Sequence, residues 1–164
     1  METAKYRLGE RHPVHGLYRI IALQDFAGVH TGDEGGWIAS EDNLSQSGLA
    51  WVFDEAQVFD DAKILGNARI YNTAQVFDRA RVYGDATVGG HAQIFGVAEV
   101  FDRAWVYQDA WVYEDAHVYD DAWVFEDARV FGSARIHGSA HVGDRMLIAG
   151  DSELTQDPAL PPAD

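Results

Sequence analysis

A chain of 164 residues with 47% apolar content is long enough for one domain with a sizeable core, and the lack of cysteine excludes a disulfide frame, thiolate chemistry and a cysteine-built metal site. No apolar run approaches the roughly 18 residues that cross a bilayer, and the N-terminus has no signal-peptide core, so a soluble cytoplasmic protein is expected. The net charge of −15 disfavours direct contact with nucleic acid or an anionic membrane, whose phosphates such a surface repels.

In chain order, Met1 to Gly48 stands apart from the rest of the chain. Leu17 to Leu23 is an apolar run of strand character, and Thr31 to Gly36 is a cluster of turn formers. Ile38 and Leu44 keep phase with Ala50, so irregular rungs of the later repeat are expected from about Trp37 onward. An open stack of strands invites end-to-end association, and a capping role is therefore expected for this segment. His12, His15 and His30 lack metal-ligand spacing and read as surface residues.

From Leu49 to Gly150 an aliphatic residue recurs at every sixth position, from Val52 and Val58 through to Val142 and Ile148. Two places before each stands Ala, from Ala50 to Ala140, until Met146 breaks the row. Alternation of this kind describes a strand of four residues with Ala and Val on one face. The next two residues are turn formers, mostly Gly, Asp, Asn, Glu and Ser. A strand this short cannot stand alone, so the units must stack in register as a parallel β-solenoid.

The run from Ala50 to Ile148 resembles the hexapeptide repeat of left-handed β-helices, in which three hexapeptides make a triangular coil of eighteen residues. The phrasing Ala-x-Val-Tyr-Gly-Asp, with Leu17 to Ile20 and Gly35 to Ile38 before it, is similar to YdcK-like and prophage-type hexapeptide proteins, most of which are named transferases on their fold alone. The resemblance implies an all-β, single-stranded left-handed parallel β-helix with an N-terminal cap. One departure is that the place after the aliphatic, often Gly or small in enzymes of the family, is here usually Phe or Tyr.

With eighteen residues per coil, the outward side chains fall on three faces. Of the 20 aromatic residues, 16 take outward positions between Trp51 and Phe131. One face stacks Phe59, Phe77, Phe95, Tyr113 and Phe131 beside Gln57, Gln75, Gln93, Trp111 and Arg129. A second carries Trp51, Arg69, Thr87, Trp105, Trp123 and His141 beside Phe53, Tyr71, Gly89, Tyr107, Phe125 and Gly143. On it Trp105, Tyr107, Trp123 and Phe125 form a block, and the small residues on either side leave recesses. The third face mixes Lys63, Arg81, Glu99, His117 and Arg135 with Leu65, Tyr83, Phe101, Tyr119 and His137 and looks most solvated. Large exposed aromatic area marks a contact site. The expected binding residues are the Phe59 ladder, Trp111 and the Trp105 block, buried by a second copy in a dimer or trimer or by another protein.

The acid has a plain source, since fifteen of the sixteen Asp and Glu between Trp51 and Ile148 occupy turn positions. A sharper alternative makes the rod an acidic nucleic-acid mimic or an inhibitor of a basic protein. Corner columns are expected to pair Asp61 with Arg79 and to alternate Asp85, Arg103 and Asp121. Asp151 to Asp164, with three Pro, reads as a loose tail in which Leu154 and Leu160 could plug the open end.

The resemblance also raises catalysis. Its acyltransferases use a His base between subunits and loops that hold acyl-CoA, but the unbroken period leaves no room for a loop, and no motif singles out His117, His137 or His141. Its metal-dependent carbonic anhydrases need three clustered His, whereas His91 lies far from His117 and His137. A rigid binding or structural protein with no cofactor and no metal is thus the expectation, and an acyl-CoA-dependent acyltransferase is the alternative.

Overall fold

The alternating Ala and aliphatic residues have one place to go in the computed structural model, which describes residues 3–158. They line the interior of an all-β parallel solenoid of about seven turns. From Ala50 to Val142 each of them is fully buried, so the core is a dry column of small and branched side chains. Leu160, expected to help plug the end, lies outside the described residues.

The rungs are β4 (Trp51–Val52), β5 (Gln57–Val58), β6 (Lys63–Ile64) and so on every six residues to β21 (Glu153–Leu154). Trp51 pairs with Arg69, Gln57 with Gln75 and Lys63 with Arg81, so each coil is eighteen residues long and three sheets run along the rod. The same step persists to Glu153, opposite Arg135, with no inserted residue. Each strand has two residues, not the four expected from the pattern, because the residue after the aliphatic already belongs to the corner. At the first corner the Phe53 carbonyl accepts from Ala56 N at 3.1 Å, while Phe53 N still donates to Ile70 O of the next coil at 2.7 Å.

The corner geometry explains the composition of the turns. The second residue after every aliphatic has positive φ, as at Asp54, Asp60, Gly66, Asn72 and Asp78. That left-handed conformation is open to Gly and tolerated by Asn and Asp, and it costs most other residues ~1–2 kcal/mol. The Asp or Asn there has a second use. Its side-chain oxygen accepts the amide of the corner residue one coil further on, as Asp54 does from Asn72, Asp78 from Gly96 and Asp120 from Gly138, at 2.9 to 3.0 Å. Those amides have no partner within their own coil. Much of the acid therefore serves the backbone. Elsewhere on the corners Arg103 pairs with Asp121 at 2.8 Å and Asn67 donates to Asp85, whereas no ion pair joins Asp61 to Arg79 among the described residues.

The N-terminal segment forms β1 (Tyr6–Arg11), β2 (Tyr18–Ala22) and β3 (Glu34–Ile38), with β2 antiparallel to both of its neighbours, and β3 then pairs in parallel with β5. Ile38 lies opposite Val58 and Leu44 opposite Ile64, so both stand in the aliphatic row and not in phase with Ala50. Two extra residues between Leu44 and Gly48 absorb the difference, and one of them is used. Gln46 Oε1 accepts the Lys5 and Tyr6 amides at 2.9 and 3.3 Å, and Gln46 Nε2 donates to Tyr6 O at 3.2 Å. The buried Asn43 acts likewise, accepting from Ala39 N and Ser40 N and donating to Asp60 O and Ala62 O. At the other end the solenoid reaches one hexapeptide into the segment expected to be a tail, with Leu154 packed on the core.

Candidate functional site

A regular rod offers its surroundings only its outward side chains, so the site must be sought in how those are covered. Five tryptophans stand outside the column of Ala and aliphatic side chains, and three of them are covered wholly or in part by the chain itself. Trp51, 1% exposed, lies under the edges of Tyr6 and Phe26, whose ring centroids are 6.1 and 5.3 Å away. Trp37 is covered by the Arg19 guanidinium, 4.0 Å from its centroid, and its Nε1 donates to Glu55 at 2.8 Å. Trp111 has the Arg129 guanidinium 4.6 Å above its ring.

Trp105 and Trp123 have no such cover. They remain 45% and 38% exposed, on β13 (Trp105–Val106) and β16 (Trp123–Val124), which are neighbours in one sheet. Their rings stack at 5.7 Å, and Tyr107 stands edge-on to both, at 6.5 and 6.2 Å. Tyr107 in turn stacks on Phe125 at 5.5 Å, so the four expected block residues do meet. Burial, and then the charge of Glu126, push the Tyr107 phenol up from its ordinary value.

The two flanks of the block differ. On the side of His141 and Gly143 the space next to the block is filled, because the Phe125 ring lies over Gly143 and Trp123 meets the His141 ring edge-on at 5.2 Å. On the side of Thr87 and Gly89 a recess of about 510 Å³ opens, reaching from Arg69 and Tyr71 to Trp105 and Tyr107. Gln108, a corner residue to which the repeat pattern gives no special role, also lines it.

The ladder of Phe59, Phe77, Phe95, Tyr113 and Phe131 is continuous, its rings nearly parallel at 4.8 to 5.1 Å. Its members are half-buried by one another, and Gln75 donates to Gln57 beside them. The third face holds a similar stack, Tyr83, Phe101, Tyr119 and His137, at 4.7 to 4.9 Å. There Tyr83 donates to Glu99, and burial followed by that bond pushes its phenol up to about 12.

The candidate histidines are scattered. His137 is held by Glu153 at 2.8 Å and Asp120 at 3.5 Å, and His141 by Asp157 at 2.8 Å, a bond from the imidazole that lowers the Asp157 carboxyl below its usual range. His117 Nδ1 is buried with no hydrogen-bond partner. No group of three or more His, Asp or Glu able to hold a metal occurs among the described residues. Nor is any helix there long and apolar enough to cross a membrane.

The covers were the part the repeat could not announce. Tyr6, Phe26 and Arg19 lie outside the period, and nothing in their spacing marks which tryptophan each will shield. With the coil geometry in place, the comparison with known proteins is informative: residues 74–90 match the model of the YdcK beta solenoid repeat. The same six-residue unit runs through the neighbouring coils, so this match and the parallel solenoid together support a YdcK-like repeat β-helix. No curated protein matches the sequence.

Proposed function

We propose that the protein is a rigid left-handed β-helix, capped at one end by the segment before Trp37, that works as a binding and structural scaffold by self-association through its Trp105–Trp123 face. The observation that carries this reading is the contrast within one molecule: the chain buries Trp37 and Trp51, shields Trp111 in part with Arg129, and leaves two stacked tryptophans open. Tryptophan and tyrosine dominate the energetics of protein contacts, and a bare cluster of them on a flat sheet is what a partner would bury. At ~25 cal/mol per Å², the four rings would supply several kcal/mol before the cost of association is subtracted. A second copy is the simplest occupant, since like faces of identical rods match about a two-fold or three-fold axis.

Salt separates this reading from docking on a basic protein. The strand positions of the face hold no carboxylate, from Trp51 through Arg69, Thr87, Trp105 and Trp123 to His141. Two chains of charge −15 repel one another, so screening should tighten self-association, whereas it would weaken attraction to a basic partner. Light scattering on the chain carrying Trp105→Ala and Trp123→Ala should report a monomer with the circular dichroism of the parent. A parent assembly whose mass this variant leaves unchanged contradicts the proposal.

A further inference from the structure

The sheet that bears Trp105 has an interrupted column of rings. Phe53 stacks on Tyr71 at 4.4 Å and Tyr107 stacks on Phe125 at 5.5 Å, and the rung between these two pairs belongs to Gly89. Nothing in the backbone demands glycine there. Gly89 lies outside the left-handed region, and a Cβ would come no closer than 3.6 Å to Asn72 Oδ1 and 3.7 Å to Tyr71 Cβ, ordinary contact distances. Gly143, lower in the same column, is different, because the Phe125 ring already occupies its space.

The missing ring leaves a slot of definite size. Tyr71 and Tyr107 are two rungs apart, or ~9.6 Å at the usual strand spacing, so a flat ring between them would stand ~4.8 Å from each. The Phe59, Phe77 and Phe95 rings stack at nearly that distance, 5.1 and 5.0 Å. Trp105 forms part of the wall, and the recess falls within the ~300–1,000 Å³ of small-molecule sites.

The polar lining decides the class of ligand. No Asp or Glu lines the recess, in a protein that carries 27 of them. Arg69 is exposed and pairs with no carboxylate among the described residues, and Thr87, opposite it on the next rung, also lines the recess. We propose that the gap at Gly89 is a binding site for a small planar aromatic carboxylate, its ring between Tyr71 and Tyr107 and its carboxylate accepting from Arg69. More highly charged aromatic phosphates fit less well, because the field of the whole chain repels each added charge. The site shares Trp105 and Tyr107 with the contact face proposed above but does not include Trp123, and the two are told apart by their readouts, ligand heat for the site and solution mass for the face.

Calorimetric titration of the full chain with 2-naphthoate and with the neutral 2-naphthamide tests the proposal. The carboxylate should bind saturably and about tenfold more tightly than the amide, through its charge-assisted bonds to Arg69. Gly89→Phe supplies the missing rung and should abolish binding of both, with circular dichroism as in the parent. Arg69→Gln should bring the carboxylate down to the affinity of the amide and leave the amide unchanged. No saturable binding of 2-naphthoate at millimolar concentration, no preference for it over the amide, or undiminished binding by the Gly89→Phe chain overturns the proposal. Failure of the contact face would appear instead in the solution mass.

Discussion

At the corners a single side chain meets two demands, the left-handed backbone and the orphan amide of the next coil. Asp78 shows both, since its own amide donates to Asp60 Oδ2 at 3.3 Å while its carboxylate accepts from Gly96 N at 3.0 Å. Asparagine keeps the tolerance and the acceptor and removes one of two stacked negative charges. Asp78→Asn should therefore leave the thermal midpoint unchanged or slightly raised at low salt. Asp78→Ala should lose ~1–2 kcal/mol in denaturant unfolding, from left-handed strain and the unsatisfied amide. Equal effects of the two substitutions would show that the carboxylate charge, and not its acceptor oxygen, matters at this position.

At the scale of elements, the ring ladders predict a dependence on place. Phe77 stacks on two neighbours, Phe59 and Phe95, whereas Phe131 stacks on Tyr113 alone among the described rings. Each such pair is worth ~0.5–1.5 kcal/mol beyond area burial, so Phe77→Ala should cost more than Phe131→Ala by about one pair. The N-terminal segment predicts a pH profile. Lys5 is buried and donates to Ala50 O at 2.9 Å, and burial lowers its ammonium from 10.5 to about 8. The unfolded chain then holds this proton more tightly than the folded one, so stability should rise as pH goes from about 8 towards 10.5. Tyr6 acts in the opposite sense, because burial, with Glu41 and Asp42 nearby, raises its phenol above the ordinary 10, and stability should fall as pH rises past that value. Thermal melts of the parent and of Lys5→Met check both, since the variant should keep the fall and lose the rise.

The division between these elements also marks what the sequence could disclose. The Ala and Val period, repeated without a slip, is a long-range statement written locally, and from it come the rungs, the three faces and the meeting of Trp105 with Trp123. The period overstates strand length because it shows which way a side chain points, not where the chain turns. The covers of Trp51 and Trp37 and the bonds of Gln46 and Asn43 were invisible. Each is a unique contact between a side chain and a distant backbone group or ring, with no repetition to betray it. The recess at Gly89 was legible as a small residue between large ones, but the filling of its twin at Gly143 was not, since only coordinates show Phe125 leaning over it.

For the molecule as a whole, charge and exposed rings oppose each other. The charge of −15 keeps rods apart, and much of it is fixed by what the corners need, while one face keeps two tryptophans uncovered at that cost. If the chain self-associates as proposed, this balance predicts an assembly that tightens as salt is added. It also places the decisive test in dilute solution. Sedimentation equilibrium of the full chain over a range of concentration and salt should give a mass of two or three times 18.2 kDa that falls towards one chain on dilution and is restored by salt. A mass of 18.2 kDa at every concentration and salt would contradict the account.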